Sequence, residues 1–84
     1  MSVLIQYDPE VDVLYVMLRE AGPGAAKRTH QVDERRLVDY DEHEEAIGVE
    51  FQQASEGIEF DGLPSVEEIR AALRAWPRLV PARP

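Results

Sequence analysis

Apolar and polar residues alternate along much of the first half of the chain, with the period that is typical of β-strands. Two runs rich in β-branched and aromatic residues, 3–7 and 13–18, flank the polar break Asp8-Pro9-Glu10. Pro9 suits the second position of a turn because its φ is fixed and it has no N–H to donate. Residues 3–18 therefore predict a β-hairpin.

The second of these runs has apolar residues on both faces. Alternation places Leu14, Val16 and Leu18 on one face of the strand, and Val13, Tyr15 and Met17 on the other. Such a strand is either covered on both sides or exposed on one side at a subunit contact. If the second face is exposed, we expect a homodimer through it, and Tyr15 and Met17 are candidate interaction residues.

Three further runs predict strands. Residues 27–33 are polar, and their charged side chains are typical of a strand at a sheet edge. Residues 37–40 and 46–52 are separated by an acidic turn, and the second run alternates cleanly between apolar and polar or small residues. The small residues of 21–26 predict a flexible connection, of which a loose hairpin loop is one form. A phosphate-binding loop is disfavoured, since its Gly-Lys-Ser/Thr end is missing.

The period of the pattern changes near residue 65. Ser65 and Glu68 fit a capping box, in which each side chain accepts a hydrogen bond from the backbone N–H of the other residue. An apolar stripe at helical spacing follows, formed by Val66, Ile69, Leu73 and Trp76. Pro77 cannot continue a helix, so the pattern predicts an amphipathic helix over residues 65–76.

These elements predict an α+β fold, an antiparallel β-meander of about five strands with one C-terminal amphipathic helix. We expect a single domain at 1–76, with the sheet in 3–53, and a flexible C-terminal tail at 77–84. The helix is expected to cover one sheet face. The predicted core comprises Leu14, Val16, Leu18, Ile47, Val49, Phe51, Ile69 and Leu73.

Charge is distributed unevenly along the chain. Residues 1–64 carry 15 acidic and 5 basic side chains, a charge of −10, and residues 65–84 carry +2. The acidic body disfavours nucleic-acid binding and attracts a basic protein partner, although acidity also serves solubility alone. In the C-terminal segment, Trp76, Arg78 and Arg83 are candidate interaction residues of a basic arm that docks on a partner.

The amino-acid composition also indicates the cellular compartment of the protein. The chain has no cysteine, so it has neither a disulfide framework nor a Cys-ligated metal site. No apolar run approaches the roughly 20 residues of a membrane span, and acidic residues interrupt the N-terminal segment before a signal peptide could form. We expect a cytoplasmic protein that does not bind membranes.

No motif predicts catalysis, a cofactor or a metal. His43 lies in an acidic turn, but the chain has no His-Glu-x-x-His and no second histidine close to it in sequence. Asp8, Glu10 and Asp12 are spaced like the start of a calcium loop. The glycine that such a loop requires next is Val13 here, and the closing glutamate is Arg19. The chain's serines and threonine lack a recognisable partner histidine, so no nucleophile is predicted either.

Several short segments agree in order and spacing with one known family. They are Tyr7-Asp8-Pro9-Glu10 with Asp12, Leu14-Tyr15-Val16 with Leu18, Leu37-Val38-Asp39-Tyr40-Asp41, Ile47-Gly48-Val49-Glu50, and Ala54-Ser55. Over about residues 3–56 the chain resembles the small bacterial and archaeal proteins of the domain-of-unknown-function family DUF2283. Phe51 departs from that pattern, because the family commonly has an aliphatic residue there.

The resemblance implies a small antiparallel sheet with no established catalytic residue or cofactor. Some members of the family are encoded beside predicted toxins and are regarded as candidate antitoxins. Our first hypothesis is therefore a non-enzymatic protein-interaction module, antitoxin-like, that binds a basic protein. The second is a small enzyme, or a ligand- or metal-binding domain, that uses carboxylates at a subunit interface. A deep pocket holding His30 or His43 beside acidic residues would favour the second hypothesis.

Overall fold

The structure of the protein, a computed structural model, describes residues 4–22 and 24–75. Five strands come first along the chain: β1 (Leu4–Asp8), β2 (Val13–Met17), β3 (Arg28–Gln31), β4 (Arg36–Tyr40) and β5 (Ala46–Gln52). A 3-10 turn at Ala54–Glu56 and the helix α1 (Val66–Ala75) follow. One antiparallel sheet and a C-terminal helix confirm the predicted α+β class.

The strand order in the sheet is β1-β2-β5-β4-β3, and all neighbours are antiparallel. The predicted β1–β2 hairpin is confirmed, and β3 lies at an edge as expected. The sheet departs from the predicted meander after β2, because the connection from β2 to β3 leads to the far edge of the sheet and is not a hairpin loop. The apolar residues of β2 explain the crossover: Leu14 pairs with Phe51, and Val16 with Val49, which the polar β3 could not match.

The hydrophobic core lies between one face of the sheet and α1. All eight residues of the predicted core are buried, and they are joined by Val38, Ala54 and Leu63. Ile69 and Leu73 are the buried residues of α1, which confirms the predicted apolar stripe within the described part of the helix. The expected end of the helix at residue 76 and the expected tail at 77–84 lie outside the described residues.

The start of α1 differs from the prediction. Ser65 has a left-handed backbone with φ of 55°, whereas a helix N-cap normally lies in the β region. The Ser65 carbonyl accepts the first helical hydrogen bond, from the N–H of Ile69 at 3.0 Å. Neither of the hydrogen bonds of a capping box forms between Ser65 and Glu68, so the helix begins without side-chain capping at this residue.

One charged side chain is buried beside the core. Arg36 is 8% exposed, and its guanidinium donates to Asp33 Oδ2 at 2.8 and 3.0 Å and to the carbonyls of Glu59 and Asp61. The Arg36 guanidinium, with the backbone N–H groups of Arg35 and Arg36, holds the pKa of the Asp33 carboxyl below its usual value. These bonds fix the irregular segment after β5 against the start of β4.

Within residues 4–22 and 24–75, no helix is both long enough and apolar enough to cross a membrane.

Candidate functional site

The sheet face opposite α1 has no layer packed on it among the described residues. We call it the open face. Along the five strands it is formed by Leu4, Gln6, Asp8, Val13, Tyr15, Met17, Thr29, Gln31, Leu37, Asp39, Gly48, Glu50 and Gln52. Within the strands, this face contains three carboxylates and neither lysine nor arginine. The structure therefore places the candidate residues Tyr15 and Met17 on one surface, and this surface is acidic.

Tyr15 crosses the open face diagonally. Its side chain starts on β2, passes over β5 at Gly48, and donates a hydrogen bond from its hydroxyl to Asp39 Oδ2 on β4 at 3.0 Å. A Cβ on residue 48 would overlap the Tyr15 hydroxyl and the adjoining ring carbon, so the crossing requires glycine there. Thr29 on β3 donates to the other oxygen of Asp39, Oδ1, at 2.6 Å.

The electrostatics of Tyr15 make its hydroxyl a donor. Partial burial of the phenol raises its pKa far above the ordinary value of 10.0, and the hydrogen bond to Asp39 and the negative charges of Asp39 and Glu50 act in the same direction. Tyr15 therefore stays protonated at neutral pH, because ionisation would place a third negative charge beside two carboxylates. This arrangement favours hydrogen bonding and disfavours proton transfer at physiological pH.

The carboxylates of Asp39 and Glu50 form no ion pair with any cation in residues 4–22 and 24–75. Both residues are half-buried. Glu50 accepts a hydrogen bond from Gln52 Nε2 at 3.0 Å. Arg35, just before β4, is directed to the carbonyls of Gln52, Gln53 and Gly57. The two carboxylates thus flank Tyr15 without a countercharge in the described structure.

Apolar side chains accompany these carboxylates. Val13, Tyr15, Met17 and Leu37 are each only partly buried on the open face. Leu4, on the neighbouring edge strand, is 52% exposed. An uncovered apolar strip with acidic residues beside it is typical of a surface that binds another protein.

A second cluster joins residues that carry the family resemblance. Asp12 has φ of 57° and accepts hydrogen bonds from the Ser55 hydroxyl at 2.6 Å, the Ser55 N–H at 2.9 Å and the Tyr7 hydroxyl at 2.7 Å. The Ser55 and Tyr7 hydrogen bonds lower the pKa of the Asp12 carboxyl below its ordinary value. The cluster ties the β1–β2 turn to the end of β5. Its role is structural, because the carboxylate is already occupied by donors of the chain itself.

The two histidines of the chain are both exposed. His43 Nε2 lies 3.5 Å from Glu42 Oε2 in the acidic turn, and the His43 side chain is 75% exposed. It borders a wide shallow groove of about 420 Å³ that Arg19, Lys27 and Asp41 also line. Among the residues that the structure describes, no group of three or more histidine and acidic side chains could hold a metal ion.

The remaining candidate residues from the sequence, Trp76, Arg78 and Arg83, lie outside the described residues. The sequence missed Asp39, Glu50 and Gly48 as members of the open-face site. Their alternation with core residues on β4 and β5 does place them on the solvent side. Gly48, a glycine within an otherwise regular strand pattern, was the one local signal that another group lies close to the backbone there.

Comparison with known proteins agrees with the motifs. The family model for proteins of unknown function DUF2283 matches residues 4–55. The chain is a member of the DUF2283 family. No curated protein matches it, and no solved structure does. The matched region of this DUF2283 protein contains all five strands, Tyr15 with its hydrogen-bonding partners, and the Asp12 cluster. Helix α1 lies beyond the match.

Proposed function

We propose that this DUF2283 protein is a non-enzymatic protein-interaction module, and that the open face binds a basic segment of another protein. The observation that carries the proposal is the pair of half-buried carboxylates, Asp39 and Glu50, that have no cationic partner in the described structure. They lie beside partly exposed apolar side chains. A partner that supplies both apolar contacts and positive charge would complement the surface.

The charge of the open face distinguishes between two occupants. In a face-to-face homodimer, the carboxylates of one copy would approach those of the second copy, and like charges in such a contact are unfavourable. A basic partner removes this repulsion and neutralises Asp39 and Glu50. We therefore favour a basic partner, with a second copy of this chain as the alternative occupant. An antitoxin-like role, which the family resemblance implies, would be one instance in which the partner is a basic toxin.

The test begins with affinity purification of the N-terminally tagged full chain from its native cells at low salt, followed by mass spectrometry. The recovered partner is then purified, and calorimetry measures its affinity for three forms of the chain. These are the wild type, the open-face variant Asp39→Asn/Glu50→Gln and the control variant Glu34→Gln/Glu59→Gln. The control removes the same charge from exposed positions outside the open face.

We expect a basic partner whose binding falls at high salt and is weakened at least tenfold by the open-face variant, with little change in the control. A tenfold loss corresponds to about 1.4 kcal/mol, within the range for groups at the centre of an interface. Equal weakening by both variants would mean that only the overall charge matters. A chain that purifies alone and is dimeric by light scattering would indicate the second copy as the occupant.

A further inference from the structure

We infer that the open face is built to bind an arginine side chain of the partner, with its guanidinium on the Tyr15 ring between Asp39 and Glu50. This inference rests on the proposed function and specifies the chemistry of the bound group.

The Tyr15 ring lies across β5 on the open face. The side chain starts on β2 opposite Glu50 and reaches Asp39 on β4, so it lies across the whole width of β5. The hydroxyl end rests on the backbone of Gly48, close enough that a side chain on residue 48 could not fit. One side of the phenol thus contacts the sheet, and no described element covers the other side. A guanidinium stacks well on such an aromatic surface.

Hydrogen bonds within the chain fix the orientation of the Asp39 and Glu50 carboxylates. Asp39 accepts one hydrogen bond on each oxygen, from Tyr15 and from Thr29, and Glu50 accepts one from Gln52. An ionised carboxylate can accept about four hydrogen bonds, so each retains capacity for further donors. A guanidinium presents its donors in a planar fork and could reach a carboxylate while its face contacts the ring. Little side-chain ordering would be needed on binding, because these hydrogen bonds already restrain the acceptors.

Two other aromatic rings of the chain each contact an arginine side chain. The guanidinium of Arg28 lies 4.3 Å from the centre of the Tyr40 ring, and that of Arg70 lies 4.7 Å from the centre of the Phe60 ring. No arginine or lysine of residues 4–22 and 24–75 makes such a contact with Tyr15. The carboxylates of Asp39 and Glu50 lie beside the Tyr15 ring without an ion pair in these residues, and their negative charge strengthens the attraction of this site for a cation.

Arginine fits this site better than lysine. The ammonium group of lysine is compact and strongly hydrated, so it would approach one carboxylate and contribute less contact with the ring. The predicted preference for arginine over lysine therefore depends on the aromatic ring, whereas the carboxylates alone would attract both cations. This difference separates the arginine inference from the more general proposal of a basic partner.

The experiment titrates the isotope-labelled full chain with a peptide of six arginines and with one of six lysines, followed by NMR. We expect both peptides to shift the amide signals of Gly48 and Glu50, with the arginine peptide binding about three- to fivefold more tightly. Tyr15→Leu, which removes the ring and leaves both carboxylates, should reduce this preference to about one. The control Glu34→Gln/Glu59→Gln should keep the preference, and Asp39→Asn/Glu50→Gln should weaken both peptides.

The outcomes distinguish the two proposals. Equal affinity of both peptides at the open face would overturn the arginine inference and leave the proposed basic partner in place. A preference that persists in Tyr15→Leu would also overturn it, since the selective site would then lie elsewhere. Signals of the open face that do not respond to either peptide would contradict both the arginine site and the binding role of this face.

Discussion

The hydroxyl of Tyr15 occupies the space that a Cβ on Gly48 would fill, so the side chain of one strand depends on the missing side chain of the next. This relationship allows Tyr15 to reach Asp39 and thereby to connect β2 with β4 over the intervening β5. Thr29 on β3 donates to the same carboxylate, so residues of four strands, β2 to β5, contribute to one connected arrangement of side chains on the open face. The arrangement both restrains the sheet and shapes its uncovered surface.

The first prediction tests this dependence with a double-mutant cycle. Gly48→Ala should displace the Tyr15 ring and break its hydrogen bond to Asp39, at a cost of about 1 kcal/mol in the free energy of unfolding. In a Tyr15→Ala background, the same substitution should be neutral or stabilising, because alanine is preferred over glycine inside a regular element by roughly 0.5–1 kcal/mol. Urea denaturation of the four proteins measures the coupling. Equal effects of Gly48→Ala in both backgrounds would disprove the dependence.

The second prediction concerns the buried guanidinium. Arg36→Ala should destabilise the fold by about 3 kcal/mol, because it removes the guanidinium that donates to Asp33 Oδ2 and to the carbonyls of Glu59 and Asp61. Arg70→Ala provides a matched control: Arg70 is exposed and contacts the Phe60 ring, an interaction of about 0.5–1 kcal/mol. Chemical denaturation measures both losses. A loss at Arg36 no larger than that at Arg70 would contradict a structural role for its hydrogen bonds.

Local sequence pattern predicted most of the elements and the core. Burial of one face of each element determines these local patterns. Examples are the alternation of Ile47, Val49 and Phe51 along β5 and the helical spacing of Ile69 and Leu73. Strand order is a different kind of information, because pairing β2 with β5 depends on residues more than thirty positions apart. The loop at 21–26 looked like a hairpin connection because its small residues allow many conformations and specify none.

The difference between local pattern and long-range contact also explains which residues the sequence did not identify at the open face and beside the core. Arg36 looks like a surface residue in the sequence, since charged residues are rarely buried, and only the fold brings three acceptors around it. The role of Asp39 depends on a tyrosine that is 24 positions away. Ser65 illustrates the opposite error, because a sequence that fits a capping box does not form one when the backbone enters the helix through a left-handed residue.

The third prediction uses acid to test the Asp12 cluster. The folded-state pKa of Asp12 lies below its ordinary value of 3.8, chiefly through the Ser55 and Tyr7 hydroxyls. Its contribution to stability is therefore present above about pH 4 and is lost as the pH falls through the folded-state pKa. Asp12→Asn should be less stable than the wild type at neutral pH, and the difference should shrink in acid.

Urea denaturation across the acid range measures the effect of Asp12. Ser55→Ala is the companion variant, because it removes the largest cause of the lowered pKa and keeps the aspartate. The stability difference between the wild type and Ser55→Ala should also shrink as the pH falls, and at neutral pH it should be smaller than that of Asp12→Asn. A difference between the wild type and Asp12→Asn that does not change with pH would show that the charge of Asp12 is not what these donors stabilise.

The last prediction concerns alkaline pH and Tyr15. The folded-state pKa of Tyr15 is raised above 10.0 by burial and by its contact with Asp39, whereas an unfolded chain ionises tyrosine near its ordinary value. The resulting stability is fully present below about pH 10 and is lost as the pH rises through the folded-state pKa. Tyr15→Phe should therefore be about 1 kcal/mol less stable than the wild type at neutral pH, through loss of the hydrogen bond to Asp39.

Above pH 10 the stabilities of the two proteins should converge, because only the wild type gains stability in its unfolded state by ionising residue 15. Denaturation at several alkaline pH values measures this. The difference in phenolate absorbance between the folded wild type and folded Tyr15→Phe follows the ionisation of Tyr15 among the three tyrosines of the chain. Parallel stability profiles for the two proteins would mean that the Tyr15 hydroxyl is as free to ionise in the folded chain as in the unfolded one.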